Sequence, residues 1–532
     1  MKRCPECRRD YYDDTLSFCL EDGTPLVYGA PTDEPATAIL SESGRAASGF
    51  PSGEGKTEVF QNSGDTVTEN SNSIAVLPFA NLSADVENEY FCDGLAEELL
   101  NALAKIDDLK VAARTSAFAF KGKNTNISEI ARTLGVRTIL EGSVRKSGDR
   151  IRITVQVINA ADGYHIWSER YDREMKDIFE VQDEITLAVV DALKLKLFGG
   201  EKEAVLKRYT TNAEAYQLYL RGRFFFYKRT PEGFAKAIEC FERATQIDAE
   251  YALAISGSAD CYTFLGFYEM LAPAEAKDRA KKAAFKALEL DNTLAETQTS
   301  VAFYYVTYEW NFPAAEEYFR QAVELNPKYG LTYHLHSANL LMLGLPNDAI
   351  AAGECGVDLE PFTIIFNAAL AWWYYLVRRN NDAIAQALKT IEIAPNHFFA
   401  YWVLGLAYAL TGRYEEAITS LQEGIKVSGF VPHLQGELGR VFAQAGLVEE
   451  AREVLATLQE KSGTDYISAV NHAKIYAGLG ENDLLFEWTE KAFEERSVKL
   501  PYFMIDPYLD EYRSDPRFVD IMQRMGLPDR NI

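Results

Sequence analysis

Basic residues are in short supply. The 532-residue chain carries 54 Lys and Arg against 79 Asp and Glu, a net charge of −25. A nucleic-acid backbone or an anionic membrane surface attracts the opposite balance, so neither is expected as the main partner. Long apolar runs are missing too. The longest, about 366 to 377, falls well short of the roughly 20 residues that a membrane helix needs. Met1-Lys2-Arg3-Cys4-Pro5 leads into polar sequence, without the apolar stretch of a signal peptide. Cysteine is scarce: Cys4, Cys7 and Cys19 crowd the first twenty residues, and Cys92, Cys240, Cys261 and Cys355 are scattered. That usage excludes a disulfide scaffold and suits a reducing compartment with a terminal metal site. The expectation is a soluble, cytoplasmic protein.

What is present is globular in composition, with 47% hydrophobic residues, 29 Tyr and 30 Phe. At roughly 150 residues per domain the chain holds about three or four domains. A Cys-bearing unit occupies 1–23. Residues 24–72 are rich in Gly, Ser, Thr and acids, bury too little apolar area to order themselves, and read as a flexible linker. Mixed α/β patterning runs over 73–200. Helical repeats fill 201–499, and a tail follows over 500–532.

The repeat is the clearest signal. Ala315, Ala349, Ala383, Ala417 and Ala451 stand 34 residues apart, and Pro327, Pro361 and Pro395 keep the same step. Gly344, Gly412, Gly446 and Gly480 follow it, with Arg378 in the one gap. Small residues belong where two helices cross closely, Gly suits the turn between them, and Pro ends one unit. This pattern resembles the tetratricopeptide repeat, with about eight units beginning near 213, 251, 296, 330, 364, 398, 432 and 466. Residues 500–532 leave the repeat and are expected to cap its open end. The resemblance implies a concave face lined by the first helix of each unit. Counting by phase, it would carry Tyr304, Tyr308, His334, Trp372, Tyr375, Trp402 and Arg440, a groove suited to a protein or peptide partner. These residues also suit packing between helices, and exposure separates the two readings.

In the middle region, Ser73 to Phe79 predicts a buried strand, followed by a helix after Asp93-Gly94. A short strand follows over 109–113 and a helix over 127–134. Three antiparallel strands then turn about Gly148 and Gly163, and a long helix spans 177–197. Ala75-Val-Leu-Pro-Phe79, Tyr90-Phe-Cys-Asp-Gly94, Arg114-Thr-Ser116, Leu140-Glu-Gly-Ser-Val144 and Trp167-Ser-Glu-Arg-Tyr-Asp172 resemble the TolB amino-terminal-like (FlgO-like) domain. The resemblance implies a fold and a context, bacterial signalling proteins bearing cyclase, kinase or winged-helix modules, rather than a reaction. Asp93, Glu97, Glu98 and Arg114 offer acid–base chemistry, but a helix N-terminus explains the same acids. Cys92 and His165 have no obvious partner in the sequence.

Cys4-Pro-Glu-Cys7, with Cys19 and Asp22, resembles a short zinc ribbon in which Asp22 stands where a fourth Cys is usual. The resemblance implies one structural zinc on Cys4, Cys7, Cys19 and Asp22. Gly53-Glu-Gly-Lys-Thr57 lacks the earlier glycine of a phosphate loop. His334 and His336 are two apart and diverge on a helix. Cys240, Cys261 and Cys355 fit small core positions. The fold class expected is therefore multidomain: a zinc-ribbon-like unit, an α/β domain and an all-α solenoid. The function expected is a non-catalytic bacterial scaffold or adaptor binding partner proteins. The alternative is a signalling regulator whose α/β domain senses a small ligand.

Overall fold

The computed structural model describes residues 72–85, 88–123, 125–197 and 200–528, with three short strands near the N-terminus. The chain divides into two units, 1–67 and 68–532. In the first, β1 (Lys2–Arg3) pairs antiparallel with both β2 (Asp10–Tyr11) and β3 (Val27–Tyr28). Cys4, Cys7, Cys19 and Asp22 lie outside the described residues, as does nearly all of the segment read as a linker.

The second unit begins with an α/β domain. Its elements are β4 (Asn72–Val76), β5 (Ala80–Asn81), α1 (Glu89–Ala104), β6 (Leu109–Val111), α2 (Arg114–Phe118), α3 (Ile127–Leu134), β7 (Thr138–Ser147), β8 (Arg150–Asn159), β9 (His165–Glu174), α4 (Ile178–Ala192) and α5 (Glu201–Val205). The sheet order is β6-β4-β7-β8-β9, with β5 beside β7. β4 runs parallel to β6 and β7, whereas β7, β8 and β9 form an antiparallel meander. Ile74, Ala75 and Val76 are all buried, because helices cover both faces there and a doubly covered strand needs no polar alternation. On β8 only Ile151, Ile153, Val155 and Val157 point into the core formed with α1 and α4, while Arg150 and Arg152 face out. Asn126 caps α3 by accepting the Ser128 N–H at 2.9 Å, and Gly135 stops it at φ 63°.

Two sequence expectations change here. α1 starts at Glu89, so Asp93 and Gly94 lie inside the helix rather than before it. Gly94 is glycine because a Cβ there would sit 2.7 Å from Leu220 of the solenoid. The long helix expected to reach 197 ends at Ala192.

Eight helix pairs follow: α6 (Ala213–Phe226) with α7 (Pro231–Ile247), α8 (Ala252–Phe267) with α9 (Pro273–Leu290), α10 (Ala295–Tyr304) with α11 (Phe312–Leu325), α12 (Gly330–Met342) with α13 (Pro346–Leu359), α14 (Ile364–Leu376) with α15 (Asn380–Ile393), α16 (Phe398–Leu410) with α17 (Tyr414–Ser428), α18 (Pro432–Gln444) with α19 (Val448–Lys461), and α20 (Ala469–Leu479) with α21 (Asn482–Glu494). The phased alanines are completely buried. A Cβ on Gly405 would come within 2.7 Å of Leu421 on the paired helix. The turns within the pairs require left-handed backbone, which Gly412 supplies at φ 77° without steric cost. Arg378 fills the gap in the glycine series and takes the same conformation at φ 66°.

The superhelix returns on itself. Asn471 on α20 donates to Glu269, just after α8, at 3.3 Å, and Trp310 packs on Phe493 with ring centroids 5.6 Å apart. The tail does not simply cap the end. After α21 the chain forms α22 (Leu500–Met504) and a 3₁₀ segment over Pro507–Tyr512, both against the concave side. α23 (Pro516–Arg524) lies beside α21, through Arg517–Asp483 at 2.9 Å and Arg524–Glu490 at 2.6 Å. Among the described residues no helix is long and apolar enough to cross a membrane.

Candidate functional site: a filled groove and a domain clamp

The seven residues expected to line a partly exposed groove are all buried; Trp372 and Trp402 are 4% exposed and Arg440 1%. That corrects the exposure expectation, and for Trp372, Tyr375, Trp402 and Arg440 the reason is the tail. Tyr502 lies on Trp372 at 4.8 Å between centroids and stacks on Trp373 at 6.1 Å. The Tyr375 hydroxyl donates to Asp506 at 2.5 Å, across 131 residues of sequence. Arg440 sits over the ring of Tyr508 at 4.3 Å, and Arg378 holds Asp510 through Nη2 at 2.6 Å and Nε at 3.1 Å. Trp402 packs on Trp372 at 4.9 Å. The space left among Trp372, Trp402, His433, Lys499 and Asp506 is a cavity of about 20 Å³, room for about one water and not for a peptide.

Trp372, Tyr375, Trp402 and Arg440 thus converge on one intramolecular occupant. The other three do not join them. Tyr304 and Tyr308 pack between helices, with the Tyr308 hydroxyl donating to the Tyr262 carbonyl at 3.1 Å. His334 stacks on Phe366 at 4.7 Å, and burial lowers its pKa to about 3. Sequence reasoning missed the occupant. Its signal was the density of large side chains in Leu500-Pro-Tyr-Phe-Met-Ile-Asp-Pro-Tyr-Leu509, too apolar for a solvated tail.

Beneath the tail lies a buried charge cluster. Glu437 accepts from Arg440 at 2.8 Å and pairs with Lys474 at 2.7 Å, and all three side chains are 8% exposed or less. Removing one partner of such a cluster leaves a charge without compensation. We expect Glu437→Ala to cost about 3–5 kcal/mol in urea unfolding, and a loss below about 1 kcal/mol would disprove the coupling.

Lys499 stands over Phe267 at 3.7 Å, and burial brings its pKa down to about 7 against the opposing charge of Glu269. An unfolded chain holds this proton to about pH 10, whereas the folded chain releases it near 7. Between those values the unfolded state binds more protons, so stability rises with pH. The melting temperature should climb from pH 7 to 9, and Lys499→Met should flatten that climb. An equally steep climb in the variant would assign it elsewhere.

The acids singled out in the α/β domain are structural neighbours of the solenoid. Glu97 pairs with Arg114 at 2.7 Å and with Arg223 of α6 at 3.4 Å. Thr115 donates to Glu360 at 3.0 Å, and Phe120 meets Phe362 edge-on at 6.2 Å. Lys328 donates to the Ala104 carbonyl at 2.9 Å. Asp93 pairs with Lys121 at 2.6 Å instead of capping a helix. Burial, then the Glu89 charge, pushes the Cys92 thiol up to about 12, far from a reactive thiolate. His165 is exposed at the start of β9. Glu98 lines a cavity of about 60 Å³ with Tyr216, Tyr251 and Arg208, and burial, then Glu97, raises its pKa to about 7. Among the described residues no group of acids, Cys and His is arranged to hold a metal.

Residues 400–429 match the tetratricopeptide repeat family. The helical region is a tetratricopeptide-like solenoid. Residues 69–188 match the family described as HilA/YgeH-like transcriptional regulator, second domain. The chain is 46% identical over 182 residues to putative adenylate cyclase 3 of Rhizobium meliloti (strain 1021), covering 34% of this chain and 31% of that protein. It is 25% identical over 276 residues to the TPR repeat-containing protein YpiA of Bacillus subtilis (strain 168), covering 48% of this chain and 62% of that protein. The chain therefore spans less than two thirds of either relative. Among solved structures it is similar to yeast Tom70 (TM-score 0.38, 16% identity, 66% of this chain and 82% of that one). It is also similar to TTC0263, a thermophilic TPR protein of Thermus thermophilus (TM-score 0.29, 18% identity, 38% and 99%).

Proposed function

We propose that this chain is a non-catalytic adaptor that brings partner proteins together on a tetratricopeptide-like solenoid, with a TolB-like α/β domain held against it. The observation that carries the reading is the clamp of Glu97, Arg114 and Arg223, with Thr115 on Glu360, which ties the α/β domain to two separate places on the solenoid. A domain fixed in this way presents one composite outer surface. Because the tail fills the concave side, partners would use the outer and edge surfaces. Crosslinking and mass spectrometry of the full chain in host extract should return a stoichiometric protein partner crosslinked within 72–528. A chain that remains without a partner at cellular concentration would overturn the reading.

A second reading, a signalling regulator that senses a small ligand, is supported by the likeness to a protein named a putative adenylate cyclase. The cavity beside Glu98, about 60 Å³, is well below the roughly 300 Å³ of ordinary ligand pockets, so this reading requires the cavity to open. A ligand that raises the melting temperature of the isolated full chain would favour it.

We also propose a structural zinc on Cys4, Cys7, Cys19 and Asp22. Three thiolates and a carboxylate suit tetrahedral zinc, and the Cys4-Pro-Glu-Cys7 spacing lets two thiolates of one tight turn reach one ion. Elemental analysis should give about one zinc per chain, lost in Cys4→Ser. Metal-free protein from zinc-supplied cells would refute the assignment.

A further inference from the structure

β9 ends the sheet, and among the described residues no strand pairs with its outer side. It is ten residues long and contains neither Pro nor Gly, and its one break in register, at Ile166, lies near its start, outside Glu169–Arg173. Natural edges of this length are usually shortened, covered, interrupted or charged, because their free N–H and C=O groups accept another strand, and the charges of β9 admit only a strand whose charges oppose them. Here the residues beside the edge are exposed: Tyr164 is 75% and Ile166 45% accessible.

The side chains of β9 divide between two faces. Tyr171 opposes Ile153 and points toward α4, with Glu169 and Arg173 on the same face. Arg170 and Asp172 oppose Thr154 and Arg152 on the other face. The order Glu169-Arg170-Tyr171-Asp172-Arg173 is self-complementary when read against itself in the opposite direction. An antiparallel pair with its two-fold axis at Tyr171 sets Arg170 opposite the second copy's Asp172 and Glu169 opposite the second copy's Arg173. Each match occurs twice and lies within one face, as cross-strand pairing requires. Moving the axis by one residue opposes Arg170 to Arg170 or Asp172 to Asp172, so this register is set apart from its neighbours.

These groups remain free to take a second partner. Asp172 already meets Arg152 at 2.7 Å and Arg170 at 3.4 Å, Arg173 meets Glu184 at 3.1 Å, and Glu169 accepts from the Tyr171 hydroxyl at 3.0 Å, but all these charged residues are more than a third exposed. A guanidinium has five donors and a carboxylate about four acceptor sites, more than those contacts use.

We propose that β9 is a self-association edge: two copies of this chain join their sheets antiparallel about Tyr171. The partner is a second copy rather than a foreign strand because the charge order matches itself. The test is sedimentation velocity of the full chain over a concentration series, with circular dichroism to show that each variant is folded. The wild type should show a concentration-dependent dimer. Asp172→Arg should raise its dissociation constant at least about tenfold. The swap Arg170→Asp with Asp172→Arg restores opposite charges at both positions and should bring the constant back to within about threefold of wild type. A monomer at all concentrations, a dimer indifferent to Asp172→Arg, or a swap that fails to restore association would each overturn the proposal. Failure here leaves the adaptor reading standing, since that reading is judged by foreign partners.

Discussion

A chain ending after Glu495 is expected to lose its cooperative solenoid transition. The missing segment buries Val498, Leu500, Tyr502, Phe503, Met504, Ile505 and Leu509. At about 1.5–3 kcal/mol for each large side chain fully buried, this is on the order of 10–20 kcal/mol before chain entropy. A typical domain has only about 5–15 kcal/mol of net stability. The truncated chain should therefore melt more than about 10 °C lower or aggregate, and should bind a dye for exposed apolar surface. The same arithmetic argues against the tail as a ligand that a partner readily displaces. If the truncated chain melted within about 3 °C of full length and took up the 497–512 peptide in trans, the tail would be a removable occupant, and the concave face would return as a partner site.

Trp372→Ala combined with Trp402→Ala is expected to destabilise the fold, not merely to weaken binding. Each large-to-small change in a packed core costs about 3–5 kcal/mol. The rings touch at 4.9 Å, and Trp372 also supports Tyr502 at 4.8 Å. Contacting residues do not add independently, so a combined loss of about 5–8 kcal/mol is expected in urea unfolding. The loss should spread to the tail, read as faster amide exchange over 500–512, while β4 and β7 stay protected because repeats couple mainly to their neighbours. A loss below about 2 kcal/mol would show that these rings sit in a loosely filled groove.

Much of the local structure was legible. Helical periodicity, the phased alanines at the crossings and the turn glycines Gly344, Gly412, Gly446 and Gly480 recur with the 34-residue step, because those units meet the same packing demands. The hairpin turns at Gly148 and Gly163 were visible because left-handed backbone favours glycine. The start of α1 was misplaced because Gly94 looks like a helix boundary, and only Leu220, far away in sequence, explains a glycine within the helix. The groove was misjudged for a related reason. Trp372, Tyr375 and Trp402 have the same pattern whether they face a partner or the chain's own tail.

The sequence by itself determined the repeat, its phase, the alternation of the α/β strands and the acidic charge balance, since each depends on neighbours within a few tens of residues. Only the tertiary structure decided what fills the concave side and what Glu97 does. Those answers join Tyr375 to Asp506 and Glu97 to Arg223 across more than a hundred residues. Such pairings depend on the superhelical path, and periodicity contains no information about which distant segment that path brings into contact.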